Sequence, residues 1–136
     1  MSMSNQRTLR EYLDAYNRAD WIRLKDYVGP TYVHHNNDAA LTIAQFVSGA
    51  GWLRAGIPDF RIDVKTMVAE GETVAVRWEA HGTHSASLAG EVPTNRTITL
   101  YGITLYRFED GLIAEDWEAT DERHLRMQIG LDTAEQ

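Results

Sequence analysis

Two periods of apolar residues divide the chain. Over residues 8–19, Leu9, Tyr12, Leu13 and Tyr16 recur at spacings of three and four, which predicts an amphipathic helix. Thr8 is its candidate N-cap, with Glu11 three residues on in the capping-box arrangement. A shorter helical stretch over 21–27 ends at Gly29-Pro30, which breaks it. Residues 31–35 predict a short strand, closed by the turn formers Asn36, Asn37 and Asp38. Helical period returns over 41–55 through Ile43, Phe46, Val47, Ala50 and Leu53. There Gly49, Gly51 and Gly56 weaken the helix or mark close packing.

From Phe60 onward the period falls to two. Phe60, Ile62, Val64 and Val68 lie mostly on one parity, and Glu70-Gly71-Glu72 turns the chain. Val74, Val76 and Trp78 then alternate with Ala75, Arg77 and Glu79. A run over 96–108 is rich in Thr, Ile, Tyr and Leu, and Glu109-Asp110-Gly111 predicts a hairpin into a strand over 112–120. A short helix over 122–129 closes the pattern, stopped by Gly130. Helices followed by four long antiparallel strands make an α+β class, with one sheet face covered by the N-terminal helices. A strongly curved sheet on helices forms a cone that can keep an apolar pocket. Trp21, Phe46, Trp52, Phe60, Trp78 and Trp117 suit such a lining, or else simply fill the core.

Composition narrows the class. At 136 residues with 43% hydrophobic content, one domain with one core is expected and no staple is needed. No cysteine is present, which removes disulfides, thiolate metal sites and a cysteine nucleophile together. Asp and Glu (20) exceed Lys and Arg (13), which argues against nucleic acid as a partner. No apolar run reaches membrane-spanning length and the start lacks a signal-like segment, so no membrane is expected and the compartment is cytoplasmic.

The titratable residues give few metal or motif signals. His34 and His35 are adjacent on a strand and point to opposite faces; His81 and His84 also diverge, and His124 stands alone on the last helix. No metal site is therefore expected. His35, Asn36, Tyr12 and Tyr16 are candidate polar groups at a pocket mouth, with plain packing the alternative for the tyrosines. His84 shares parity with Val74, Val76, Trp78 and Gly82, so it looks inward, either to a ligand or to a backbone group that satisfies it. Glu115 and Asp116 cannot share one site, being adjacent on a strand, and Asp116 reads as solvated. Arg77 and Arg107 lie opposite the cavity residues in parity, which disfavours an Asp–Arg–Asp relay for epoxide opening. Nucleotide loops and a nucleophile elbow are absent from the sequence.

An ordered set of segments resembles a known family. It consists of Val74-Ala75-Val76-Arg77-Trp78, Gly82-Thr83-His84, Pro93-Thr94-Asn95-Arg96, Arg107 through Ile113, Glu115-Asp116-Trp117, Asp121, Leu125 and Gln128-Ile129-Gly130. Over residues 9–131 the chain resembles the SnoaL-like polyketide cyclases of the nuclear transport factor 2-like superfamily. Ala86 and Asn95 stand where members often carry Gly.

The resemblance implies the superfamily's cone, with a core of about residues 8–131, and an enzyme without cofactor that closes a ring by intramolecular aldol chemistry. It implies Asp121 as general acid/base acting on a hydrophobic, aromatic polyketide-like substrate. By their own parity and bulk, His84 is a candidate to orient Asp121 or hold a substrate carbonyl, and Phe46, Trp52, Trp78 and Trp117 are candidates to line the pocket. On a regular strand Asp121 shares parity with Ile113, Glu115, Trp117 and Ala119, facing the pocket; as the N-cap of the last helix it would face solvent. A homodimer or higher homo-oligomer is also implied, with Tyr101, Ile103 and Leu105 as its outer stripe. A ketosteroid-isomerase-like proton-transfer enzyme and a non-catalytic small-molecule binder are the alternatives.

Overall fold

In the computed structural model, residues 2–130 are described, with side chains from Ser4 onward; Leu131, the last residue of the expected core, lies outside them. Helix α1 (Ser2–Asn17) starts six residues before Thr8, so Thr8 sits inside the helix and caps nothing. One turn before Leu9, the polar Asn5 is buried as well, so the inward side of the helix begins upstream of Thr8. Asp20 caps the short α2 (Trp21–Leu24), its carboxylate accepting from the Arg23 amide at 3.1 Å. A single tight turn, Lys25–Tyr27, leads into β1 (Val28–Asn36). A hairpin through Asn37, at φ 55°, gives β2 (Ala39–Leu41). Thr42 and Gln45 then form a capping box that starts α3 (Ile43–Gly56).

The remaining strands are β3 (Arg61–Glu70), β4 (Thr73–Thr83), β5 (Thr97–Glu109) and β6 (Leu112–Thr120), followed by α4 (Glu122–Gln128). Asp110 and Gly111 take φ of 53° and 79°, the left-handed pair that a two-residue hairpin requires. The sheet has six strands in the order β2-β1-β6-β5-β4-β3. Its long strands pair antiparallel as expected, but β1 runs parallel to β6, so the sheet is mixed. It is curved and not closed.

Alternation puts one face of the sheet on the helices. Val74, Val76, Trp78 and Ala80 on β4 face inward with Ile98, Leu100, Tyr106 and Phe108 on β5. Helix α1 packs on β3, β4 and β6, which places it in the trough of the curved sheet. Asn17 fastens its end to the β3 edge, donating to the Ile62 carbonyl and accepting from the Ile62 amide, each at 2.8 Å. Outward residues Tyr101, Ile103 and Leu105 on β5 are exposed.

Close packing fixes one glycine. A Cβ on Gly102 would lie 2.1 Å from Trp78, its cross-strand partner. Gly102→Ala is expected to destabilise the protein by about 1–3 kcal/mol through overpacking. Urea unfolding would read this as a lower midpoint at unchanged slope; an unchanged midpoint would mean that Trp78 is free to move aside.

Candidate functional site

A cavity of about 330 Å³ opens between the concave sheet face and the helices. Tyr12 and Tyr16 from α1, Phe46 and Trp52 from α3, and Trp78 from β4 all line it, as does Asn36 from β1. These six were expected there. The aromatic residues therefore bound a space rather than fill it.

The chemistry of the cavity is set by an irregularity in β6. Phe108 pairs with Ile113, but the next pair is Arg107 with Glu115, which leaves Ala114 unpaired as a β-bulge. The extra residue reverses the parity expected for the rest of the strand. Asp116, Glu118 and Thr120 face the cavity, and Trp117 faces outward at 40% exposure. Trp117 is thus not a pocket residue: its ring stacks at 5.4 Å on His35, which parity on β1 also sends outward. His35 bonds Glu115 at 2.6 Å, and Arg107 joins from the other side at 3.1 Å. Together they hold the Glu115 carboxyl below its usual range, His35 being the larger influence.

Asp121 does not face the cavity. It is exposed and serves as the N-cap of α4, its Oδ1 accepting from the His124 amide at 2.9 Å. His84 looks inward as parity required and is fully buried, but it lies beyond the cavity lining. Its Nδ1 sits 3.0 Å from the Thr94 hydroxyl and accepts from the Thr94 amide at 3.3 Å. It is the core histidine held by a backbone group, and it pins the loop between β4 and β5.

The inward wall of β1 and β6 supplies what the sequence did not single out. His34, rather than His35, is the inward histidine, and Asp116, read from sequence as solvated, is only 1% exposed. His34 Nδ1 lies 2.5 Å from Asp116 Oδ1, and the Tyr32 hydroxyl donates to Asp116 Oδ2 at 2.5 Å. A carboxylate there accepts, so Nδ1 carries the imidazole proton and Nε2 is the nitrogen left to the cavity. Burial pushes His34 down, but the Asp116 hydrogen bond and charge, with the Glu118 charge, outweigh it and raise the group. Asn36 donates to Glu118 at 3.3 Å and to Glu122 at 3.1 Å. Desolvation raises Glu118; the His34 charge opposes this, and Asp116 and Glu122 add to it, bringing the carboxyl to about 7. Burial keeps Tyr12, Tyr16 and Tyr106 protonated, so they are neutral groups of the wall. Among the described residues, no cluster of His, Asp and Glu has the arrangement of a metal site. One signal for this wall was legible: the adjacent apolar pair Ile113-Ala114 interrupts the alternation of β6.

The comparisons with known proteins agree with this architecture. The family model for SnoaL-like polyketide cyclase matches residues 6–129. AclR of Streptomyces galilaeus, a candidate hydroxylase, is 26% identical with a TM-score of 0.87, over 96% of this chain and 83% of that one. IdmH of Streptomyces antibioticus, a candidate polyketide cyclase, is 27% identical with a TM-score of 0.83, over 93% of this chain and 98% of that one. A candidate SnoaL-like cyclase from Jannaschia sp. CCS1, at 20% identity and a TM-score of 0.85 over 98% and 96% of the two chains, shares the fold. No curated protein matches the sequence.

The raised Glu118 has a consequence for stability. Its folded-state value lies above the ordinary 4.5, so its contribution is complete below that pH and is lost as pH rises through about 7. His34, also raised, has the same sign. Glu118→Gln is expected to remove on the order of 1–2 kcal/mol of the stability difference between pH 5 and pH 8. Urea unfolding at both pH values checks it; an identical difference in both proteins would place Glu118 in solvent.

Proposed function

The chain belongs to the SnoaL-like polyketide cyclase family, and on that premise we propose that it is a cofactor-independent acid/base enzyme. It enolises a carbonyl compound of hydrophobic, aromatic polyketide type and closes a ring by intramolecular aldol addition. The observation that carries this is His34 bonded through Nδ1 to buried Asp116, with Glu118 beside it on the same cavity wall. His34 Nε2 takes the proton from a carbon next to a carbonyl, and Asp116 stabilises the imidazolium that forms. The enolate carbon attacks a second carbonyl, and protonated Glu118 gives its proton to the oxygen of that carbonyl. A proton passing from His34 to Glu118 resets the pair. A carboxyl near 7 is matched to this duty at neutral pH.

In this reading the general acid/base role passes from Asp121 to the inward wall, and His84 supports the loop rather than the substrate. Phe46, Trp52 and Trp78 hold the planar body of the substrate. A ketosteroid-isomerase-like proton shuttle would use the same groups and differs only in product. The protein works as a single domain, and the cytoplasm is its expected compartment.

Deuterium exchange from D₂O into aromatic β-dicarbonyl compounds, followed by mass spectrometry, tests the reading. Wild type should exchange above the buffer rate and yield ring-closed product. His34→Asn should lose about 10²-fold or more of the exchange and Glu118→Gln about as much of the ring closure, whereas Asp121→Asn should retain most of both. A compound that binds and shows no exchange would make the protein a small-molecule binder instead. Exchange lost only in Asp121→Asn would return the role to the cap.

We further propose a homodimer through the outer sheet face. Val68, Ala75, Leu105 and Trp117 are successive cross-strand neighbours, so they form an apolar row across four strands, with exposed Ile103 and Tyr101 beside it. Arg77 with Glu79 and Arg107 with Glu109 flank this row, giving each side both signs of charge. Such a patch is self-complementary about a two-fold axis. Light scattering should give twice the chain mass for wild type and the chain mass for Leu105→Glu; a monomeric wild type would overturn the assignment.

A further inference from the structure

The Asp116 carboxylate is held from two sides, and the second side belongs to no step of the proposed reaction. Oδ1 takes His34, whereas Oδ2 takes the hydroxyl of Tyr32, a buried residue two positions before His34 on the same face of β1. Tyr32 has one proton and spends it on Asp116. Tyr32 therefore donates to the same carboxylate that holds the imidazole. Tyr12 of α1, a second buried phenol, bears on Tyr32 electrostatically. Tyr12 is itself fixed edge-to-face on Tyr106 at 6.3 Å.

A carboxylate that accepts a second hydrogen bond spreads its charge and becomes a weaker acceptor toward the first partner. We propose that Tyr32 is a positioning residue that sets the orientation and base strength of His34 through Asp116. This rests on the reading of His34 as the base only for its catalytic consequence; the electrostatic part stands on the geometry. The other groups around the imidazole are accounted for. From β6, Asp116 and Glu118 bear charge on it. From α3 comes the Phe46 ring at 4.7 Å. Tyr12 and Tyr16 of α1 remain neutral, and Asn36 on β1 and Glu122 on α4 line the same cavity.

The test is an NMR titration of the His34 imidazole in the full chain, for wild type, Tyr32→Phe, Asp116→Asn and the double variant. Tyr32→Phe should raise the titration midpoint by about half a pH unit or more, since the unshared carboxylate pulls harder on the proton. Asp116→Asn should lower it, and adding Tyr32→Phe to Asp116→Asn should change nothing further. Tyr32→Met, which also removes the donor, should shift it the same way and serves if Tyr32→Phe does not fold. An unmoved midpoint in the Tyr32 variant overturns the proposal, as does an equal shift with and without Asp116. The pH dependence of deuterium exchange should move in parallel with the midpoint. Midpoints that move in a protein that never exchanges would leave the positioning intact and sink the catalytic reading alone.

Discussion

The unpaired residue at Ala114 is the constraint on which the rest of the site depends. A strand has a side-chain period of two, so one extra residue transfers every later side chain to the other face. Before the bulge Ile113 packs in the core; after it, Asp116 and Glu118 point into the cavity, and Glu115 and Trp117 point away. Without the bulge, the inward wall would present a tryptophan and two residues of different chemistry. With it, the parallel neighbour β1 meets β6 in a register that pairs His34 with Asp116 and Asn36 with Glu118. The acid/base wall is thus made by register.

A carboxylate and an imidazole buried together impose requirements of their own. Removing a charge from water costs several kcal/mol unless hydrogen bonds replace the lost solvent. Asp116 has two such bonds, and their donors, His34 and Tyr32, both come from β1. The parallel pairing of β1 with β6 is therefore what makes a buried aspartate tolerable here. The same arrangement assigns the imidazole proton to Nδ1 and leaves the other nitrogen to the cavity, which is the state a base requires. Glu118 accepts one bond, from Asn36 at 3.3 Å, and is raised by desolvation, with the Asp116 and Glu122 charges adding to it.

The outer face carries a second, separate chemistry. His35, Glu115 and Arg107 form a charged cluster beside Trp117, and the apolar row across β3 to β6 continues from it. Adjacent residues such as His34 and His35, or Glu115 and Asp116, thus serve opposite sides of one sheet. The sequence pairs look like double signals for a single site, and strand geometry divides each of them.

Much of the architecture was legible in the order of residues, because helix and strand periods and left-handed turn residues are local properties. The alternation through Val74, Val76 and Trp78, the Asp110-Gly111 hairpin and the aromatic residues around the cavity could all be read directly. The ordered segments near the end of the chain carried the family. Position of the acid/base groups could not be read in this way. Parity counted from Ile113 along a regular strand sends Asp121 inward and Asp116 outward, and both inferences fail at one bulged residue. Helix α4 settles the place of Asp121 by using it as a cap, and β1 settles that of Asp116 by supplying its two donors. Local sequence determines which elements form and which residues alternate. Which face of β6 becomes the cavity depends on how β5 and β1 register against it, and that is fixed only when the sheet assembles.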